Sequence, residues 1–154
     1  MKIKDLLTIM VNNKIVSQYT GELPHNEGAN RKIPGGPLYP ARELRAILED
    51  YGEQVVNVWT RKCAQDMQKW ALDADDLCQL MKLALTTGRY LDSEWCVQRP
   101  NGPWAACDAY LVVRREWIQN AHKDMNIRYY IKFAMNRTGC VLLVVSCHPP
   151  EDRR

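Results

Sequence analysis

The sequence predicts an α+β fold in which an antiparallel sheet of about four strands packs on helices along one face and leaves its other face free. Three observations predict it. Helix-period apolar stripes fill residues 41–88, strand alternation replaces them after Gly88, and residues 127–146 read as a hairpin. In that hairpin Ile127, Tyr129, Ile131, Phe133 and Met135 alternate with Arg128, Tyr130, Lys132 and Ala134 before Asn136, Arg137, Thr138 and Gly139 supply turn chemistry. Its second strand, residues 140–146, is almost wholly aliphatic and belongs inside a sheet covered on both faces.

From the N-terminus, Leu6, Leu7, Ile9, Met10, Val11, Ile15 and Val16 fit a short amphipathic helix followed by a brief strand. Residues 21–40 hold four Gly and four Pro, too many for regular structure. Residues 1–40 are therefore an N-terminal arm and loop, with residues 1–20 either docked on the main domain or ordered by a partner. A helix over 41–51 carries Leu44, Ile47 and Leu48 on one side and ends at Gly52. Val55, Val56, Val58 and Trp59 form a short extended or helical segment. Thr60 caps a helix running to about Leu72, with Cys63, Met67 and Trp70 (or Ala71) as its stripe. Asp73, Asp75 and Asp76 open the next helix by capping, and Leu77, Leu80, Met81, Ala84 and Leu85 continue it to Gly88.

After Gly88, residues 89–98 and 104–113 flank Arg99, Pro100, Asn101, Gly102 and Pro103, which makes them antiparallel neighbours. Residues 114–126, RREWIQNAHKDMN, are expected to form a short crossing helix. The domain ends near 148, and residues 149–154 are a polar tail.

The chain length suits one domain with a real core. No stretch reaches the roughly 18 uninterrupted apolar residues of a spanning helix, and the opening MKIKDLLTIMVNN lacks a secretory cleavage site. The expectation is a cytoplasmic protein with no membrane partner. In that compartment the six cysteines read as free thiols. Without a CxxC pair or a His-x₃₋₅-His spacing, neither a metal nor another cofactor is expected.

The net charge of +3 is modest, but residues 114–137 carry six basic side chains against two acidic ones. That excess suits either a phosphate-bearing partner or a solvated face. Period-two alternation puts Arg128, Tyr130 and Lys132 on one face, where cations can bind phosphate and a phenol can stack on a base or move a proton. His148, just past the last strand, and His122 are proton-transfer candidates. Arg61, Lys62 and Arg114 are further phosphate contacts. Each also has an ordinary structural reading, with Tyr130 a half-buried strand tyrosine and Lys132 an exposed strand lysine.

The order of elements, a W-x-x-x-D-x-Y strand (Trp104, Asp108, Tyr110), the run Tyr130 to Phe133 and a last aliphatic strand ending in Val-Ser resemble the MqsR branch of the RelE-like toxins, over roughly residues 60–148. The resemblance implies a bacterial toxin–antitoxin ribonuclease that cleaves mRNA, free or on the ribosome, and is silenced by a cognate antitoxin. It places the catalytic tyrosine at Tyr130, with Lys132 beside it. Where that family carries a lysine this chain has Ser93, Glu94 and Trp95, and where the family carries a glutamine it has Cys107. The alternative is a non-catalytic RNA- or protein-binding regulatory module that uses the same basic face.

Overall fold

The structure, a computed structural model, describes residues 14–150. It comprises α1 (Ala41–Tyr51), β1 (Val56–Val58), α2 (Arg61–Lys69), α3 (Ala74–Thr86), β2 (Arg89–Val97), β3 (Trp104–Ile118), β4 (Lys123–Met135) and β5 (Leu142–His148). The fold is α+β. Its five-stranded sheet has the order β1-β5-β4-β3-β2 and is antiparallel except for the β1–β5 pair, so the expected four-stranded antiparallel sheet gains a parallel edge strand. The expected N-terminal helix falls largely on residues 1–13, and the tail mostly on 151–154, outside the described residues. No described helix is long and apolar enough to cross a membrane.

Local chemistry explains the helices. Gly52 ends α1 at φ 60, a backbone angle that costs glycine little. The Thr60 hydroxyl accepts the Cys63 N–H (3.0 Å) to cap α2. Asp73 and Asp76 accept each other's backbone N–H groups at 2.8 Å, a capping box at the start of α3. The chain reaches β1 through a 3₁₀ turn at Gly52–Val55.

Alternation gives the sheet two faces. The first face carries Tyr129, Ile131 and Phe133 of β4, with Leu142 and Val144 of β5, in the main core together with Leu44, Leu48, Leu77 and Met81 of the helices. The second face carries Arg128, Tyr130 and Lys132. At one end it too is covered: Ala105, Cys107 and Ala134 are buried with Trp59, and Gln98 Nε2 donates to Trp59 O (2.8 Å). That bond links the segments following the edge strands β2 and β1, so only the other end of the second face is open.

The expected helix over 114–126 is absent. β3 continues to Ile118, a 3₁₀ turn spans Gln119–Ala121, and β4 begins at Lys123. The charged residues obscured a strand pattern. Arg114 and Glu116 alternate with Arg115 and Trp117, and on the first face the Arg114 guanidinium is held by Asp76 (2.8 Å) and Glu116 (3.0 Å) and lies over the Tyr129 ring. Burial would lower the Arg114 pKa, but these carboxylates raise it.

The described part of the arm is built into the sheet domain. Val16 N donates to Trp104 O (2.9 Å), Gln18 N to Met135 O (2.8 Å) and Arg137 N to Val16 O (3.0 Å), so the arm fills the gap where β3 and β4 part. It then runs along the β2 edge, where Ile33 N donates to Ser93 O (2.9 Å) and Trp95 N to Arg31 O (2.8 Å). Gly36 next passes so close that a Cβ there would lie 2.0 Å from the Tyr90 hydroxyl and 2.3 Å from Ser93 Oγ.

The arm is fixed by Asp108, 1% exposed on β3. Its carboxylate accepts Leu38 N at 3.0 Å, Tyr39 N at 3.2 Å and Ser93 Oγ at 2.6 Å. Burial pushes the carboxyl pKa up against those three hydrogen bonds. In Asp108→Ala the Leu38 and Tyr39 N–H groups lose their acceptor, and urea unfolding should show a loss of about 2–4 kcal/mol. A change within experimental error would mean that the arm is held by its other hydrogen bonds and its apolar contacts, without Asp108.

Candidate functional site

The open part of the second face is organised around Lys132. Its side chain is 12% exposed and ion-paired with Glu94 of β2. Glu94 is shared with Lys32 of the arm at 3.4 Å, and Lys32 also pairs with Asp92 at 2.5 Å. Two strand irregularities flank this network. The β2–β3 register shifts between Tyr90 and Asp92, and the β4–β5 register shifts between Lys132 and Phe133. Each bulge re-aims the residues beside it. The first lets Asp92 and Glu94 share the face of Lys132, and the second leaves Val145 without a β4 partner, its carbonyl instead accepting the Thr60 hydroxyl (2.6 Å).

Beside Lys132, Tyr130 lies opposite His148 in the β4–β5 register. Their rings stack with centroids 5.3 Å apart, and Lys132 Nζ sits 5.6 Å from the Tyr130 ring centre. His148 Nδ1 is 2.8 Å from Pro149 O. A carbonyl can only accept, so the neutral ring carries its proton on Nδ1 and presents Nε2 as a base.

The electrostatics of the cluster are coupled. Burial alone would lower the Lys132 pKa, but Cys96, Tyr130 and Glu94 outweigh it and raise it. Burial would raise the Glu94 pKa, yet the hydrogen bond and charge of Lys132, assisted by Lys32, hold it below the ordinary carboxylate value. Burial pushes the Tyr130 phenol up against the pull of Lys132, which keeps it protonated. The neighbouring Cys107 thiol lowers the Cys96 thiol pKa against burial.

Of the residues singled out from the sequence, Tyr130, Lys132 and His148 come together, and Arg128 stands exposed one step along the same face of β4. The others do not join them. Arg114 points to the first face, where two carboxylates hold it. His122 occupies the turn between β3 and β4 in a left-handed conformation (φ 50), not a crossing helix. Lys62 pairs with Asp66 at 2.6 Å and Arg61 is exposed in the first turn of α2; among the described residues no hydrogen bond or ion pair joins either to the cluster.

Glu94, Lys32 and Asp92 were not among the predicted site residues. Glu94 lies within the Ser93–Trp95 stretch where the sequence was expected to depart from the toxin-family pattern, and that departure was the available signal for it. Lys32 lies in a Gly/Pro-rich stretch with no periodicity to place it. All six cysteines are free, five of them buried. Among the described residues no group of three or more His, Cys, Asp or Glu is placed to hold a metal ion. No protein family, curated protein or solved structure matches the chain.

Removing Glu94 leaves Lys132 without its nearest counter-charge in a largely buried position. Glu94→Gln should lower stability at pH 7 by about 1–3 kcal/mol, less than for a fully buried pair because both side chains retain some solvent. Because the folded Glu94 pKa is depressed, its contribution is present above the unfolded carboxylate pKa and is lost as pH falls through the folded value. Urea unfolding at pH 7 and at pH 3 should therefore show the wild type and Glu94→Gln converging in acid. An equal gap at both values would rule out the ion pair as its source.

Proposed function

We propose that this protein is a metal-independent endoribonuclease acting on mRNA as the toxin of a bacterial toxin–antitoxin pair, with the open second face as its active site. The observation that carries this reading is the stack of His148 on Tyr130 beside Lys132, which gathers a base, a proton donor and a cation at the open end of the second face. RNA cleavage without a metal needs those three functions around one phosphate. The sequence resemblance supports the same assignment of Tyr130 and Lys132.

In the proposed reaction His148 Nε2 takes the proton of a ribose 2′-hydroxyl, and the 2′-oxygen attacks the adjacent phosphorus. The phosphorus–5′-oxygen bond breaks as Tyr130 gives its phenolic proton to the leaving oxygen. Lys132, turning from Glu94 toward the phosphate, stabilises the charge that builds there. The products are a 2′,3′-cyclic phosphate and a 5′-hydroxyl end. The antitoxin would act by covering the same face, and the expected setting is the cytoplasm.

A second reading is favoured by one contact, the engagement of Lys132 by Glu94. If RNA does not displace that ion pair, the face binds RNA or a protein without cleaving. Incubation of the purified chain with end-labelled single-stranded RNA in chelator separates the two. Cleavage with cyclic-phosphate ends is expected, falling by roughly 10²–10⁴-fold in His148→Ala and Tyr130→Phe, and abolished by a 2′-deoxy substitution at the scissile nucleotide. Salt-sensitive binding without cleavage at any protein concentration would assign the face to the binding module.

A further inference from the structure

The β3–β4 pair continues past the helix layer. Arg114 and Glu116 on the first face are tied to Asp76, Gln79 and Tyr129, and beyond them no hydrogen bond or ion pair joins the two strands to a helix among the described residues. On the second face this projecting ribbon carries Val113 (45% exposed), Arg115 (65% exposed in its side chain) and Trp117 (57% exposed) on β3. In register with them across β4 are Arg128, Asn126 and Asp124. Tyr130 follows two residues after Arg128, so the ribbon surface is continuous with the cluster around Lys132.

The chemistry of this surface is specific. An exposed indole costs hydration free energy unless something covers it. On the same face Arg115 lies two residues before it on β3, and Arg128 lies on β4 opposite Val113, diagonal to Arg115. Arg115 meets Asp124 at 3.8 Å, an exposed contact that holds it weakly. One exposed ring beside two arginines matches a strand of nucleic acid, whose bases stack while its phosphates pair with guanidinium groups. Stacking on a side chain requires an unpaired base, which selects single-stranded RNA over a duplex. A purely apolar protein surface would leave both arginines without counter-charges.

Resting on the RNA reading above, we propose that the second face of the β3–β4 ribbon is a distal subsite for single-stranded RNA. Trp117 stacks on an unpaired base, and Arg115 and Arg128 contact the flanking phosphates. Trp117 lies opposite Asp124, six residues along β4 from Tyr130, which is about 20 Å at ~3.3 Å per residue. RNA must therefore extend several nucleotides from the cleaved bond to reach it. Tight binding becomes a property of long substrates, and cleavage chemistry stays with the cluster.

The test is fluorescence anisotropy of the full chain with a labelled single-stranded RNA of about 20 nucleotides and one of about two, too short to span the two sites. Trp117→Ala should bind the long RNA roughly tenfold more weakly and leave binding and cleavage of the short one unchanged, while Trp117→Phe restores most of the loss. Arg115→Ala should reduce the slope of log affinity against log salt by about one. Trp70→Ala, another exposed tryptophan, should change nothing. Unaltered long-RNA affinity in Trp117→Ala overturns the subsite and leaves the cleavage reading standing. A wild type that binds neither RNA overturns both. A shift in oligomeric state in Trp117→Ala, with RNA affinity intact, overturns the subsite by giving the ribbon to a second copy of the chain.

Discussion

The buried carboxylate of Asp108 is the contact on which the rest of the arrangement depends. A charged group at 1% exposure survives only when its hydrogen-bonding capacity is filled, and here backbone N–H groups from two arm residues and the Ser93 hydroxyl fill it. The donors come from two parts of the fold. Leu38 and Tyr39 end the arm just before α1, and Ser93 lies opposite Asp108 across the β2–β3 ladder. One side chain thus fixes where the arm ends, where α1 starts and how β2 sits on β3. The Tyr39 hydroxyl, donating to Ala106 O, closes the same junction from the other side.

That junction reaches the open face through the arm. With Leu38 and Tyr39 held, residues 31–33 can only run along β2, and this places Lys32 beside Asp92 and Glu94. Glu94 then lies between a lysine of the arm and a lysine of β4. An isolated Lys132–Glu94 pair at this burial would gain little after desolvation. A second cation on the far side of the carboxylate strengthens its ionised form and so holds both strands in register. The two bulges make this possible, because a regular ladder would shift residues on one side of each bulge to the opposite face.

Much of this was legible in the sequence, for physical reasons that also explain what was not. The α1 and α3 stripes, the Thr60 and Asp73 caps and the alternation in β4 depend on local periodicity and backbone chemistry, so they were readable. Residues 114–126 misled because their polar side chains, Arg114 and Glu116 above all, find partners across strands and on a helix far away in the chain. The parallel β1 was ambiguous because three residues carry no period. Within the candidate site Tyr130 and Lys132 followed from alternation, and His148, expected just past the last strand, proves to be its final residue. Glu94 and Lys32 depended on two bulges and an irregular arm, neither of which leaves a pattern in one sequence.

The face on which the family-like residues sit limits what that resemblance can carry. In the W-x-x-x-D-x-Y strand, Trp104 lies under the Arg31 guanidinium at 5.1 Å, Asp108 anchors the arm, and Tyr110 stacks on Phe133 with centroids 5.8 Å apart. All three point to the first face, and all three do structural work. The proposed chemistry lies on the other face, where alternation puts Lys132 between Tyr130 and buried Ala134, and where Glu94 and Cys107 also lie. A shared frame constrains which positions can reach a substrate, but not what those positions carry. If this chain cleaves RNA, the counter-charge of its lysine is Glu94. Lys132 is then poised by a carboxylate that must release it, and the arm lysine sharing that carboxylate would set how readily it does so.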